Sequence, residues 1–293
     1  MSKLPWLTRL RATIVREFIY GGHLLSLGAT GIVLSVAFTM DLPINIFLFF
    51  IPYLSSQIVY NHNHLKELKQ EKETNVERNK YLIEHKSSVN ILLLSYIILL
   101  TFCLINTNIQ TILIVVFIIL GGLLYTQYFK RKTAEYFVGF KNIYTSFFWS
   151  LTIFLVPFFY GTSINSFYWF FFIFIFLRFI VSTAFFDIKD IKDDSEKSIK
   201  TFAVIFGKRL TLNVLQILNL ISILPIIIGV YLGQIPVLNL VLILTLMYGI
   251  YYLTRAYTLD DRELRKLSYV VVDGEYLLWG LSVFFVRIFT KLI

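Results

Sequence analysis

Carboxylates gather in two places along this chain. In the stretch from Asn61, NHNHLKELKQEKETNVERNKYL, Asn63, Glu67 and Glu71 recur at i, i+4 and i+8. At about 100° per residue the three fall within roughly 80° on one helical face. In the stretch from Phe186, FDIKDIKDDSEKSIKTFAVIFGKR, Asp187, Asp190 and Asp194 stand at i, i+3 and i+7 and on a continuous helix would again share a face. Carboxylates on one face repel unless a cation lies near. Lys66, Lys69, Lys189 and Lys192 are interspersed, so either cluster alone reads more simply as a solvated helix laced with ion pairs. Two clusters on one side of a membrane read differently. Facing acidic walls suit Mg²⁺, a hard ion completed by one or two carboxylates, waters and phosphate oxygens. Such ions bridging to a diphosphate neutralise charge that builds on a leaving group.

The elements that must position these groups are membrane helices. Hydrophobic residues make up 57% of the 293 residues and charged residues 15%, where soluble domains carry about 45–50% and ~25%. Mean hydropathy is +0.72. The apolar residues come in runs of about 20, the length that crosses ~30 Å of hydrocarbon, and such runs must be helical because lipid offers the backbone no partners. The pattern predicts an all-α polytopic protein of about nine transmembrane helices, near 18–40, 43–62, 88–108, 110–128, 140–160, 165–186, 210–232, 236–256 and 269–290. No internal repeat, low-complexity tract or independently folding loop interrupts it, so residues 1–293 read as a single membrane-embedded domain. The first 17 residues are basic and amphipathic, and no small-residue cleavage site follows the first apolar run. The one cysteine, Cys103, excludes an intramolecular disulfide framework.

The net charge of +9 belongs to topology rather than to nucleic acid. Of the 27 Lys and Arg, 24 lie in segments 1–17, 63–87, 129–141, 187–209 and 255–267. With nine spans all five fall on one side, while the opposite connections hold no Lys or Arg. This positive-inside pattern predicts a cytoplasmic amino terminus, both acidic clusters at the cytoplasmic face, and a plasma or inner membrane location.

At these residues the sequence resembles the UbiA superfamily of intramembrane prenyltransferases. Asn63-x-x-x-Glu67-x-x-x-Glu71 is similar to that family's Asn-x-x-x-Asp-x-x-x-Asp motif after helix two. Asp187, Asp190 and Asp194 resemble its second Asp motif after helix six, and Thr201-Phe-Ala-Val-Ile-Phe-Gly207 resembles the tail that follows. A third likeness lies after span four: Tyr125-Thr126, then Lys130, Arg131 and Lys132, then Lys141-Asn142 opening helix five. The one departure is Glu for Asp at both acids of the first motif, which adds a methylene and moves a bound ion by roughly 1 Å unless the backbone compensates, a real change for an ion as strict in geometry as Mg²⁺.

The resemblance implies a helical bundle around a central cavity, nine helices, and an enzyme that moves an isoprenyl chain from a Mg²⁺-bound isoprenyl diphosphate to a lipophilic or aromatic acceptor. It implies that Asn63, Glu67, Glu71, Asp187, Asp190 and Asp194 carry two or more Mg²⁺ ions together with the diphosphate. Lys130 and Lys200, then Arg131 and Arg16, are the expected diphosphate cations. Tyr60 and Tyr125 lie at the depth where a ring face could stabilise an allylic cation, or where an interfacial aromatic belt would place them.

Other residues are less informative. Arg178 lies within span six, about 180° from Asp187 on a regular helix. An intramembrane Arg marks a functional candidate, and Asp273 or Glu275 of the last span is its expected ion-pair partner. His62 and His64 flank Asn63, but no third His or Cys stands near to complete an imidazole metal site. Asp260-Asp261-Arg262-Glu263 reads as a solvated face with a possible lid role. A multipass transporter would need broken helices and polar groups at mid-membrane, whereas the acids here sit at the interface. The CDP-alcohol phosphotransferase pattern fails because Asp273-Gly274 is followed by Glu-Tyr. A non-catalytic lipid-binding relative stays open, as do the acceptor, the prenyl chain length and the oligomeric state.

Overall fold

A computed structural model describes residues 15–68, 76–125, 133 and 136–292. Every regular element among these residues is helical, and no strand occurs among them. In chain order they are α1 (His23–Thr39), α2 (Ile46–Glu67), α3 (Val76–Glu84), α4 (Lys86–Ile105), α5 (Ile109–Leu124), α6 (Phe140–Ser150), α7 (Leu155–Tyr160), α8 (Ser166–Lys189), α9 (Ile191–Glu196), α10 (Phe202–Ser222), α11 (Leu224–Tyr231), α12 (Ile243–Ala256), α13 (Asp261–Leu267) and α14 (Asp273–Leu292). Short 3₁₀ segments join α6 to α7 and lead into α12, and a π-turn over Ser268–Val272 joins α13 to α14.

Among the described residues six helical stretches are long and apolar enough to cross a membrane: Lys86–Ile105, Phe140–Tyr160, Ser166–Lys189, Phe202–Tyr231, Val237–Ala256 and Asp261–Lys291. The apolar helices α1 and α5 are shorter, and α2 runs 22 residues. Each expected segment overlaps a helix among the described residues, with shifted ends. The helix expected from 210 begins at Phe202, because the Thr201 side chain accepts from Val204 N and caps it. Gly207, at φ 75°, lets it bend inside. Other starts follow the same chemistry: Asn45, Asn108 and Asp260 each accept a backbone N–H of their own first turn.

The core forms where small residues let helices close. α1 and α14 share the most extensive interface. A Cβ on Gly31 would stand 2.5 Å from the Tyr276 carbonyl oxygen, and one on Gly280 would stand 2.8 Å from that of Gly31, so these backbones touch. Around them Ile32, Val36, Phe171, Phe174 and Trp279 are buried. A second cluster of Val181, Phe185, Leu212, Tyr252 and Leu264 packs α8, α10, α12 and α13 nearer the acidic end. Between the two, Arg178 donates through Nε to Glu275 Oε1 at 2.9 Å, and its other nitrogens reach Glu275 and Asn219. Of the two partners expected for this arginine, the structure selects Glu275. The pair is fully buried and ties α8, α10 and α14 together.

One expectation is corrected. Asp187, Asp190 and Asp194 do not lie on one continuous helix. α8 ends at Lys189, Asp190 takes φ −104° and ψ 7°, and α9 restarts at Ile191. The bend turns Asp190 away from the direction shared by the other two.

Candidate active site

A cavity of about 330 Å³ opens between α1, α2, α5, α6, α8 and α14, within the size range of small-ligand sites. Its apolar wall includes Leu25, Val59, Val115, Ile118 and Leu155; its other end carries Asn63, Glu67, Tyr125, Lys141, Lys189 and Asp190.

The second acidic cluster is organised by the start of α6. Gly139 takes φ 71°, which glycine adopts freely, and its N–H donates to the Lys200 carbonyl at 3.1 Å. That bond fixes α6 to the segment after α9. The next two residues then face the acids. Asn142 Nδ2 donates to Asp187 Oδ2 at 2.8 Å. Lys141 Nζ lies 2.6 Å from Asp187 Oδ1 and 3.5 Å from Asp194 Oδ2. Neither oxygen makes a hydrogen bond of good angle, so these are contacts of charge. The Asp187 and Asp194 side chains are only 1% and 5% exposed, and that of Lys141 20%. Buried carboxylates demand a cation; among the described residues Lys141 is shared by the two. Asp190 turns to Lys189, whose Nζ donates to both of its oxygens at 2.8–2.9 Å.

The first cluster stands across the cavity. Asn63 Nδ2 donates to the Gly122 carbonyl at 3.2 Å, which ties the end of α2 to α5. Glu67 is buried on the last turn of α2. Glu71 lies outside the described residues. Tyr125 stacks on Tyr144 at 5.3 Å and sits within electrostatic reach of Lys141, Asp187, Glu67 and Asp194, so both clusters converge on it. Its hydroxyl is buried with no hydrogen-bond partner among the described residues.

Of the other expected residues, Tyr60 lines the cavity and receives Arg78 Nη1 on its hydroxyl at 3.4 Å. Arg16 and Lys200 are exposed and not among the cavity's lining residues; Lys200 serves through its backbone carbonyl. Lys130 and Arg131 lie outside the described residues. Arg78, Lys189, Tyr269 and Asp273 line the cavity although no expectation placed them there. Arg78 and Lys189 lie within electrostatic reach of Asp273, and Arg265 on α13 meets Glu77 beside Arg78 at 3.6 Å. Lys141 and Asn142 carried a recognisable sequence signal as a pair, but not their role. The mixed charge around Arg78 carried none.

The donor set fits a hard, oxygen-seeking ion in one respect: every acid at this end offers carboxylate oxygen, and no sulfur ligand competes. Among the described residues no three His, Cys, Asp or Glu side chains gather closely enough to hold a metal by themselves. An ion seated here would need ligands from its substrate, which is how Mg²⁺ is commonly held.

The apolar helical bundle encloses a cavity with carboxylates and cations at one end, the build of an integral membrane protein. The model of the UbiA prenyltransferase family matches residues 24–281, and the chain belongs to that family. Comparison with curated protein sequences finds no match. Among solved structures, the chain is similar to a UbiA homologue from Aeropyrum pernix K1 (TM-score 0.66, 12% identity, 95% of this chain and 98% of that one). It is also similar to an Archaeoglobus fulgidus homologue bound to GPP and Mg²⁺ (0.62, 13%, 90% and 99%), and to a digeranylgeranylglyceryl phosphate synthase (0.57, 13%, 92% and 99%).

Proposed function

We propose that this protein transfers an isoprenyl chain from an isoprenyl diphosphate to a lipophilic acceptor, inside the membrane and at the acidic end of the cavity. The observation that carries the reading is Tyr125: a buried hydroxyl without a hydrogen-bond partner among the described residues, within electrostatic reach of both acidic clusters and on the wall of an apolar cavity. Such a donor suits an anionic head whose tail lies along Val59, Val115 and Ile118.

In this reading Asp187 and Asp194, with Asn63, Glu67, Asp190 and Glu71, would hold Mg²⁺, which would neutralise the charge of the leaving diphosphate. Family membership and the GPP- and Mg²⁺-bound relative support the choice of ion. Lys141, Lys189, Arg78 and the Tyr125 hydroxyl bind diphosphate oxygens. When the C1–O bond breaks, the diphosphate keeps the electron pair. The rings of Tyr125, Tyr144 and Phe148, in successive contact with centroids 4.7–5.3 Å apart, attract the allylic cation and exclude water. The acceptor's electron pair forms the new bond to C1, and its proton passes to the released diphosphate. The nine spans, a cytoplasmic amino terminus, one domain over 1–293, and an active site facing the cytoplasm of a plasma or inner membrane belong to the same proposal. The charge distribution supports them.

The test is incubation of the detergent-purified protein with Mg²⁺, radiolabelled geranyl and geranylgeranyl diphosphates and a panel of phenolic and hydroxylated lipid acceptors, beside Asp190→Ala and Glu67→Ala. Mg²⁺-dependent transfer or diphosphate release, lost in both variants, is the expected result. Neither binding nor turnover with any isoprenyl diphosphate would refute it and favour a lipid-binding relative.

A further inference from the structure

We infer that Lys141 is a tethered counter-ion that keeps the second acidic cluster closed to a lone divalent cation, so that metal and diphosphate enter together. The inference rests on the proposed function only for the identity of the anionic partner; the closure itself is a property of the protein's own charges.

Two carboxylates seven residues apart, on either side of the α8–α9 bend, converge on one ammonium at 2.6 and 3.5 Å. Both are almost fully buried. Without Lys141, Asp187 would keep a buried charge in a medium that screens poorly. Asn142 leaves Asp187 Oδ1 to the lysine, because it occupies Oδ2. The neighbouring acids are differently employed: Asp190 with Lys189 and Asp193 with Lys197 at 2.5 Å.

A divalent ion on Asp187 Oδ1 would bind at about 2.0–2.1 Å and meet the ammonium already on that oxygen. Ion and lysine exclude each other there by like charge. The lysine also lines the substrate cavity and is the most exposed of the three partners. Its long flexible stem lets the ammonium swing onto an anionic head. An arriving diphosphate draws Lys141 off Asp187 and Asp194 and brings oxygen ligands, and both changes open the site to the ion. The coupling is reciprocal: metal tightens diphosphate by the same factor as diphosphate tightens metal. A membrane enzyme so built does not hold Mg²⁺ when its lipid substrate is absent.

The test uses the full chain in detergent, with Mn²⁺ as the metal probe and methylene diphosphonate as the anion, so no prenyl transfer is needed. By equilibrium dialysis, wild type is expected to bind Mn²⁺ at least about tenfold more tightly when the diphosphonate is present. Lys141→Met is expected to bind Mn²⁺ alone at least about tenfold more tightly than wild type does, with most of the coupling lost. In thermal unfolding without divalent ions, Lys141→Met should melt on the order of 5–10 °C lower, and millimolar Mg²⁺ should restore it. Lys141→Arg should behave like wild type, and Lys141→Met with Asp194→Asn should recover stability without metal.

Wild type that binds Mn²⁺ equally well with and without diphosphonate would overturn the inference, and this measurement needs no variant. So would Lys141→Met that binds Mn²⁺ no better than wild type. If the metal results hold while no isoprenyl diphosphate is turned over, the counter-ion stands and the prenyl-transfer reading fails.

Discussion

Replacing Arg178 by Met would leave the Glu275 carboxylate, 1% exposed, without its cation in the middle of the bundle. Breaking a buried pair by removing one partner costs about 3–5 kcal/mol, because the remaining charge stays desolvated. At roughly 2–4 °C per kcal/mol for a chain of a couple of hundred residues, the apparent melting temperature should fall by on the order of 6–20 °C. Arg178→Met combined with Glu275→Leu removes both charges and keeps the volume, so it should recover most of the loss and stand near wild type. The assay is thermal unfolding of the three variants and wild type in one detergent at one scan rate. A second readout follows from topology: Arg178 lies on α8 two and a half turns before Asp187, so any slackening of α8 should also weaken diphosphate binding, and the double variant should restore it. A single variant as stable as wild type would refute the reasoning. A double variant no better than the single would also refute it, because the damage would then be lost packing rather than a stranded charge.

Four further outcomes are expected. Tyr125→Phe removes a buried hydroxyl that has no hydrogen-bond partner among the described residues, so stability should hold or rise by up to about 1 kcal/mol, while the KM for the isoprenyl diphosphate rises several-fold; an unchanged KM would remove this residue from the site. Gly31→Val drives a side chain into the Tyr276 carbonyl and should lower the melting temperature by several degrees, through a cost of about 2 kcal/mol or more; tolerance would mean α1 and α14 are not held at backbone contact. Thr152→Trp fills the part of the cavity beside Leu155 and should shorten the longest prenyl chain accepted, read by product analysis across a series of diphosphates; an unchanged chain profile would place the tail elsewhere. The Asp41 carboxyl is held below its ordinary value, first by the hydrogen bond from Lys291 and then by the Arg287 charge. Its contribution is therefore present above the ordinary carboxylate range and lost as pH falls through the lowered value. At 65% exposure it is small, so Asp41→Asn should differ slightly from wild type at pH 7 and not at all in strong acid; a difference that grows toward acid would have the wrong sign.

Much of the architecture was legible in the sequence because it depends on local quantities. Runs of about 20 apolar residues have only one way to satisfy their backbones in lipid, so helices and their rough places follow from composition. Spacing placed the two acidic clusters at the ends of the second and sixth apolar segments; Asn63, Glu67 and Asp190 line the cavity, whereas Asp187 and Asp194 are not among its lining residues. The angular position of Arg178 on an ideal helix turned it from Asp187 toward the last span, where Glu275 meets it. These readings need only the period of a helix and the solvent it lives in.

The tertiary structure decided which charge meets which. Asp187 and Asp194 share a lysine because Gly139 hooks the start of α6 onto the Lys200 carbonyl, a contact between segments some 60 residues apart that no local pattern encodes. Asp190 leaves the common face because the chain breaks there; the i, i+3, i+7 spacing assumes a helix the backbone does not continue. Arg78, Tyr269 and Asp273 join the cavity because α3, the π-turn after α13 and the start of α14 border it. Arg16 and Lys200, chosen for charge and nearness in sequence, are exposed. Helical period and membrane depth are written residue by residue, whereas the partner of a charge is set by which helices pack together, and that is a property of the whole bundle.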